Sequence, residues 1–417
     1  MARVARVSHF LGLTKSTVGL LFMVVLVGMG ERMAERFLPI YLLALGGGAL
    51  SIGLLNGMDN LLSALYSFPG GYLSDRFGTK RALLIFNFVA MCGFLVVIIF
   101  PAWQAVLLGA VLFISWSAIS LPATMSLIAK VLPMNKRTMG VSMHSLVRRI
   151  PMALGPVLGG ICIGIWGERD GVRAAFVAAL LLSFLAVVLQ QKLIEDYPGK
   201  DKGDNCLYVP EKNPLKLYRL MAPNLRRLLV SDILVRYCEQ IPYAFVVVWC
   251  MKTISSPVSA LQFGILTSIE MATAVLVYVP VAYLADKTTK KPFVVMTFVF
   301  FTLFPLTLLF CHSFSWLVLA FILRGFKEFG EPTRKALIMD LAPENCKAGM
   351  FGLYYLIRDV FVSIAAFGGA FLWLISPTTN FLVAFSFGVA GTLGFAFWGS
   401  DFAEVEFEGK SLNIRRD

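Results

Sequence analysis

The stretch that decides the fold is Gly71-Tyr72-Leu73-Ser74-Asp75-Arg76-Phe77-Gly78-Thr79-Lys80-Arg81. It is a short charged connection between two apolar runs, 50–73 and 82–100. Each run is about as long as the ~20 residues a helix needs to cross hydrocarbon. The same sequence of events recurs after the run 260–284, where Leu284-Ala285-Asp286-Lys287 precedes another apolar stretch.

Outward from this connection, apolar runs fall at 16–45, 50–73, 82–100, 104–131, 139–166, 171–192, 226–251, 260–284, 292–312, 314–341, 349–375 and 379–400. Of the 417 residues, 58% are hydrophobic and 15% charged, against roughly 25% charged in a soluble domain. Mean hydropathy is +0.77. These values exclude a disordered chain and a soluble globular one. The runs are too long and continuous for the short alternating segments of a membrane barrel. The expected fold class is therefore an all-α membrane protein with twelve transmembrane helices. The first run is too long for a signal-peptide core and lacks a cleavage site, so it reads as a retained first helix.

Net charge is +12, and the cations sit in connections: Arg3, Arg6 and Lys15; Arg76, Lys80 and Arg81; Lys136 and Arg137; Lys287, Lys290 and Lys291; Lys410, Arg415 and Arg416. The alternate connections are uncharged at Gly46–Gly48, Pro101–Trp103 and Ser376–Thr378. The positive-inside rule then places both termini in the cytoplasm of a cytoplasmic (inner) membrane. The basic charge is a matter of orientation, and no nucleic-acid partner is expected. The only long polar connection lies near the middle, so the expected domains are 1–192, a linker at 193–225, and 226–417. The basic run Leu215–Arg227 within that connection reads as amphipathic, on the inner leaflet. Seven scattered cysteines with no CxxC pair, and three distant histidines, give no disulfide framework, no metal site and no catalytic cluster. No enzyme activity or cofactor is expected, and without GxxxxGK[ST] ATP is not the driver.

The two halves repeat. Gly53, Asp59, Pro69, Tyr72, Leu73 and Asp75 match Gly264, Glu270, Pro280, Tyr283, Leu284 and Asp286 at one constant offset. Pro122, Pro133 and Arg148 match Pro332, Pro343 and Arg358 at nearly the same offset. Parallel six-helix repeats of this kind build one large transporter architecture, with a site near the bilayer midplane.

The connection Gly71–Arg81 resembles the signature loop of the major facilitator superfamily (G-x-L-[SA]-D-R-[FY]-G-x-[RK]-[RK]), and Leu284–Lys287 looks like its second copy. The resemblance covers nearly the whole chain. It implies two pseudo-symmetric six-helix bundles and a cytoplasmic gating loop comprising Gly71, Asp75, Arg76, Gly78, Arg81 and Asp286. Gly155-Pro156-Val157-Leu158-Gly159-Gly160 resembles the family's antiporter motif, with Pro151 where an upstream glycine is usual. The arginine common in family helix four is absent from Phe113-Ile114-Ser115-Trp116.

Ionisable residues inside membrane helices cost roughly 2.5–3.5 kcal/mol each even on the mild insertion scale, so by default they mark function. Helix one carries Glu31, Arg32, Glu35 and Arg36; helix seven carries Asp232, Arg236 and Glu239; helix ten carries Arg324, Lys327, Glu328, Glu331, Arg334 and Lys335. At ~100° per residue each set occupies one stripe. The resemblance implies that these helices line the central cavity. The expected substrate residues are Arg32, Glu35, Arg36, Arg236, Glu239, Lys327 and Glu328. Asp232, Arg334 and Lys335 are expected near the cytoplasmic end and partly solvated. The i,i+3 pairs Arg32/Glu35 and Arg236/Glu239 equally suit structural pairing. Asp59, Glu270 and Glu31 are the candidates for carrying a coupling proton, because a desolvated carboxylate favours its neutral form. The repeat arginines Arg148 and Arg358 are their alternative partners.

The expected function is secondary transport of a small polar or charged solute (an organic anion, amino acid or zwitterion), coupled to H⁺ in a monomer surrounded by lipid. The competing readings are a proton antiporter exporting drugs or metabolites, and a transporter-like receptor that moves nothing.

Overall fold

The computed structural model describes residues 15–77, 79–113, 147–193, 218–285, 289–342 and 347–400. Among them the chain is helical throughout: α1 (Lys15–Glu35), α2 (Leu38–Ala44), α3 (Ala49–Phe77), α4 (Thr79–Ile99), α5 (Trp103–Phe113), α6 (Arg149–Leu193), α7 (Pro223–Tyr243), α8 (Val246–Val248), α9 (Ala260–Ala285), α10 (Lys291–Leu309), α11 (Phe314–Gly325), α12 (Glu331–Asp340), α13 (Lys347–Ile375) and α14 (Pro377–Trp398). Six of the described segments are long and apolar enough to cross a membrane, and α7 joined to Val246–Thr253 across a 42° bend makes a seventh.

Several apolar runs are broken where the chemistry requires it. The run 16–45 splits before Leu38, because Pro39 has no N–H to continue the ladder. The run 314–341 splits into α11, a 3₁₀ turn at Phe326–Glu328, and α12, again with proline at the second helix's start. Conversely, the runs 139–166 and 171–192 join in α6, which reverses at Gly167 (φ 80°, ψ 176°). A Cβ on Gly171 would lie 2.5 Å from the Cα of Ile163, so the two segments of α6 run back along each other. Only glycine adopts the backbone angles of Gly167 without strain. The connection expected at 71–81 is almost entirely helical, since α3 runs to Phe77 and α4 starts at Thr79.

The chain divides into two compact units, 1–204 with 244–271, and 205–243 with 272–417. In the first, α1 packs along both segments of α6. A Cβ on Gly30 would lie 2.7 Å from the Cα of Ala179, and one on Gly159 would lie 2.0 Å from the carbonyl oxygen of Met33. The segment 244–271 joins this unit through equally close backbones. A Cβ on Gly160 would lie 2.5 Å from the Ala260 carbonyl oxygen, one on Gly264 would lie 2.5 Å from that of Pro156, and Ser268 Oγ donates to Ala153 O at 2.6 Å. Small residues permit this approach, and membrane helices associate through it because lipid offers no hydrophobic drive. The α3–α4 corner is tied to the end of α6: Gln190 Nε2 donates to Lys80 O at 2.8 Å and Asn87 Nδ2 donates to Gln190 Oε1 at 2.8 Å.

In the second unit, α7 packs on α10, α13 and α14. Leu225, Leu228, Phe298, Leu337, Met350 and Phe395 are buried together. In the basic run 215–227, Met221 and Leu225 are buried in protein, whereas Tyr218 and Leu220 are exposed.

Candidate functional site

Each unit carries its own cluster of charged side chains. In the second, α7 presents Asp232, Arg236 and Glu239 at i, i+4 and i+7, one face of a helix. Arg236 Nη1 donates to Glu239 Oε2 at 2.7 Å, and its Nη2 meets Glu331. Lys327 Nζ donates to the other oxygen of Glu239 at 3.1 Å. Arg334 bridges Asp232 to Glu331, with Nη2 at 2.9 Å from Glu331 Oε2. Tyr354 OH donates to Asp232 Oδ2 at 3.0 Å. Arg358 stacks on Tyr355 at 4.2 Å, donates to Asp359 at 2.7 Å and lies 3.8 Å from Asp232. Four cations (Arg236, Lys327, Arg334, Arg358) thus meet four carboxylates (Asp232, Glu239, Glu331, Asp359), and each finds its opposite charge.

Asp232 and Arg334, expected to be partly solvated, are each only 1% exposed. They are inside because two more helices, α12 and α13, supply their partners. Lys335, in contrast, is exposed. The contribution of Tyr354 had one available signal, its place four residues before Arg358 on the same helix face. The meeting of Arg236 with Glu331 had none, since the two are 95 residues apart.

In the first unit, Arg32 donates to Glu35 at 2.7 Å, so both i,i+3 pairs of the sequence form. Glu31 is buried, and Arg36 and Asp59 are half-buried. The charges that act on Asp59 are Glu35, Arg32, Glu31 and Arg36 of α1. Arg148 precedes α6 and lies in the field of Arg32, Glu31 and Arg149. A cavity of about 20 Å³ opens between Gly28, Glu31, Arg32, Arg148, Pro151 and Met152. Glu270 is fully buried and belongs to this same unit. Arg358, its proposed alternative partner, is engaged with Asp359 instead.

Of the expected gating residues, Arg81 is exposed. Gly71, Asp75 and Arg76 fall in the backbone of α3. Their side chains, and Gly78 and Asp286 altogether, lie outside the described residues. Glu328 is half-buried in the 3₁₀ turn beside Lys327.

The family described as the Major Facilitator Superfamily matches residues 20–214 and 228–412. Over 384 residues the chain is 24% identical to the uncharacterized MFS-type transporter MJ1317 of Methanocaldococcus jannaschii, covering 89% of this chain and 91% of that one. Over 165 residues it is 29% identical to the uncharacterized MFS-type transporter YqjV of Bacillus subtilis, covering 39% and 38%. Among solved structures, a peptide transporter POT in complex with sulfate superposes with a TM-score of 0.74 at 15% identity, over 92% of this chain and 93% of that one. A point mutant of the nucleoside transporter NupG gives 0.74 at 15%, over 91% and 98%. At this identity the superpositions establish the fold. The fold and the apolar helices define an all-helical, multi-pass integral membrane protein. The chain belongs to the major facilitator superfamily, and it is a secondary transporter.

Proposed function

We propose that the protein moves a small polar or charged solute by alternating access, coupled to protons. The observation that carries this reading is the density of mixed-sign charge on α1, α7 and α12. A pocket for greasy cargo needs apolar and aromatic lining, whereas ions held in a membrane helix are expensive and persist where they do work. Solved structures of the same fold include a peptide transporter and a nucleoside transporter, whose cargo is polar. On this reading Arg32, Glu35, Arg36, Arg236, Glu239, Lys327 and Glu328 hold or gate the solute. Asp59 is the first candidate for the coupling proton, with Glu270 and Glu31 behind it. Among the described residues no hydrogen bond or ion pair fixes the Asp59 carboxylate.

We assign twelve spanning helices, two repeat bundles at 1–192 and 226–417, a cytoplasmic linker at 193–225, cytoplasmic termini and a monomer in the inner membrane. The α3–α4 corner, with Asp75, Arg76 and Arg81 at the end of one helix and the start of the next, biases the cycle between its states. Gly155, Gly159 and Gly160, the residues that suggest antiport, serve close packing on α1 and α9. That packing role leaves the direction of transport open to the flux assay.

The test is flux into proteoliposomes across a panel of radiolabelled amino acids, dipeptides, carboxylates, nucleosides and organic cations, at two imposed pH gradients. The reading requires that some polar solute accumulate against its gradient when protons flow. Transport confined to lipophilic cations, or none across the panel, overturns it.

A further inference from the structure

In the second unit, the corner where the start of α7 meets the end of α14 carries cations outside the charge cluster. Tyr218, Arg219 and Leu220 form an exposed elbow before α7. Arg226 holds that elbow in place. Its guanidinium stacks on the Tyr218 ring at 5.1 Å, and its Nη2 donates to Tyr218 O at 3.1 Å and to Arg219 O at 3.2 Å. Met221 and Leu225 anchor the same turn in the protein interior. Arg219 is thereby presented to the outside. Arg227, also exposed, reaches across to α14. Its Nη1 donates to Trp398 O at 3.4 Å and to Asn224 Oδ1 at 3.5 Å, long contacts that a better acceptor can replace. Among the described residues Arg219 and Arg227 meet no carboxylate.

The surface beside these arginines is apolar. Phe397 and Trp398 are 74% and 69% exposed at the end of α14, a helix long and apolar enough to span a membrane. Leu393 lies one turn back from Phe397 and Val230 one turn on from Arg227, and both are exposed. Tryptophan at the end of such a span marks the boundary between hydrocarbon and headgroups. The arginines therefore stand at headgroup depth, with an apolar stripe running from them into the bilayer. We infer that this corner is a binding site for an anionic phospholipid. Arg227 is the phosphate ligand, Arg219 adds to the attraction, and the acyl chains lie along Val230, Leu393 and Phe397. Guanidinium forks suit phosphate oxygens. A zwitterionic lipid presents the same phosphate, but its ammonium cancels the charge, so the site prefers a headgroup with net negative charge. The occupant is a lipid and not a soluble anion because the apolar stripe continues from the cations. The site is independent of what the protein transports.

The experiment places the full chain in phosphatidylcholine nanodiscs doped with equal small fractions of dibrominated phosphatidylglycerol or dibrominated phosphatidylcholine. Bromine quenches nearby tryptophan, and the difference between wild type and Trp398→Phe isolates the signal of Trp398. Phosphatidylglycerol is expected to quench Trp398 well beyond phosphatidylcholine. At roughly fivefold per cation, Arg219→Gln with Arg227→Gln should lower the apparent enrichment by roughly twentyfold. Lys192→Gln, which removes an exposed cation of the first unit, should leave it unchanged. Rising salt should erase the excess in the wild type, and this arm decides the matter if the double variant does not yield a monodisperse protein. Equal quenching by the two lipids, an excess that survives high salt, or an unchanged excess in the double variant overturns the proposal. An equal loss from Lys192→Gln would make the attraction a property of the whole surface and would overturn it too. Displacement of the lipid by soluble glycerol phosphate would make this a free-anion site, with the same consequence.

Discussion

Arg334 offers the sharpest test of the second cluster as a structural unit. It is 1% exposed, and its guanidinium meets Asp232, also 1% exposed, and Glu331, 9% exposed. Arg334→Gln leaves two buried carboxylates short of a cation, with Arg236 and Arg358 3.8 Å from Asp232 as the remaining counter-charges. Breaking one side of a buried pair costs about 3–5 kcal/mol, a hundredfold to several-thousandfold shift in the folding equilibrium at ~1.4 kcal/mol per decade. Asp232→Asn should cost a similar amount, since it strands Arg334 and the Tyr354 hydroxyl. The double variant removes both charges, so its loss should fall short of the sum of the singles by about 1–3 kcal/mol. Equilibrium unfolding in mixed micelles with rising sodium dodecyl sulfate, followed by tryptophan fluorescence, measures all three. Strict additivity, or single losses below about 1 kcal/mol, would falsify the pair as a coupled buried unit.

Other outcomes follow from the same geometry. Gly159→Ala puts a methyl 2.0 Å from the Met33 carbonyl oxygen, so α1 must move, and thermal stability should fall by the ~1–3 kcal/mol typical of overpacking. Lys252 and Glu168 pair at 2.5 Å but are 45% and 32% exposed, so Lys252→Gln should change stability by less than about 1 kcal/mol; a larger loss in the same unfolding assay would mean the pair is shielded from solvent. For coupling, Asp59→Asn and Glu270→Gln are compared in flux driven by a pH gradient: full accumulation in both would show that neither carries the proton. Asp75→Asn should slow turnover while leaving solute affinity unchanged, which a binding assay beside the flux assay separates.

The long apolar runs and the repeat made the fold class legible, because a helix in lipid must satisfy its own backbone and so announces itself by length. Breaks inside the runs were less legible. Pro39 and Pro332 mark helix starts in the structure, whereas Pro156, Pro242, Pro280 and Pro305 sit inside continuous helices. The residue alone does not say which, since neighbouring helices can support a proline's missing bond. Local charge pairs at i,i+3 were readable in advance, and both formed. The partners of Asp232 and Arg236 on α12 and α13 were not, because helical spacing reports which residues share a face and is silent on what that face meets.

That silence explains why charge counting along single helices did not separate the two clusters. On α7 and α12 the stripes look as rich in unmatched charge as the stripe on α1, and tertiary packing then closes them. Around α1 the charges come from more than one helix, and Arg148, just before α6, lies in the field of Arg32, Glu31 and Arg149. A closed cluster resists change: any movement that opens it exposes ions it has already paired, which suits a rigid element or a latch. Arg32 and Glu31 act on both Asp59 and Arg148, so a proton that loads Asp59 changes the field at charges of another helix that also act on Arg148, and it biases the cycle only by the difference in its binding to the two states.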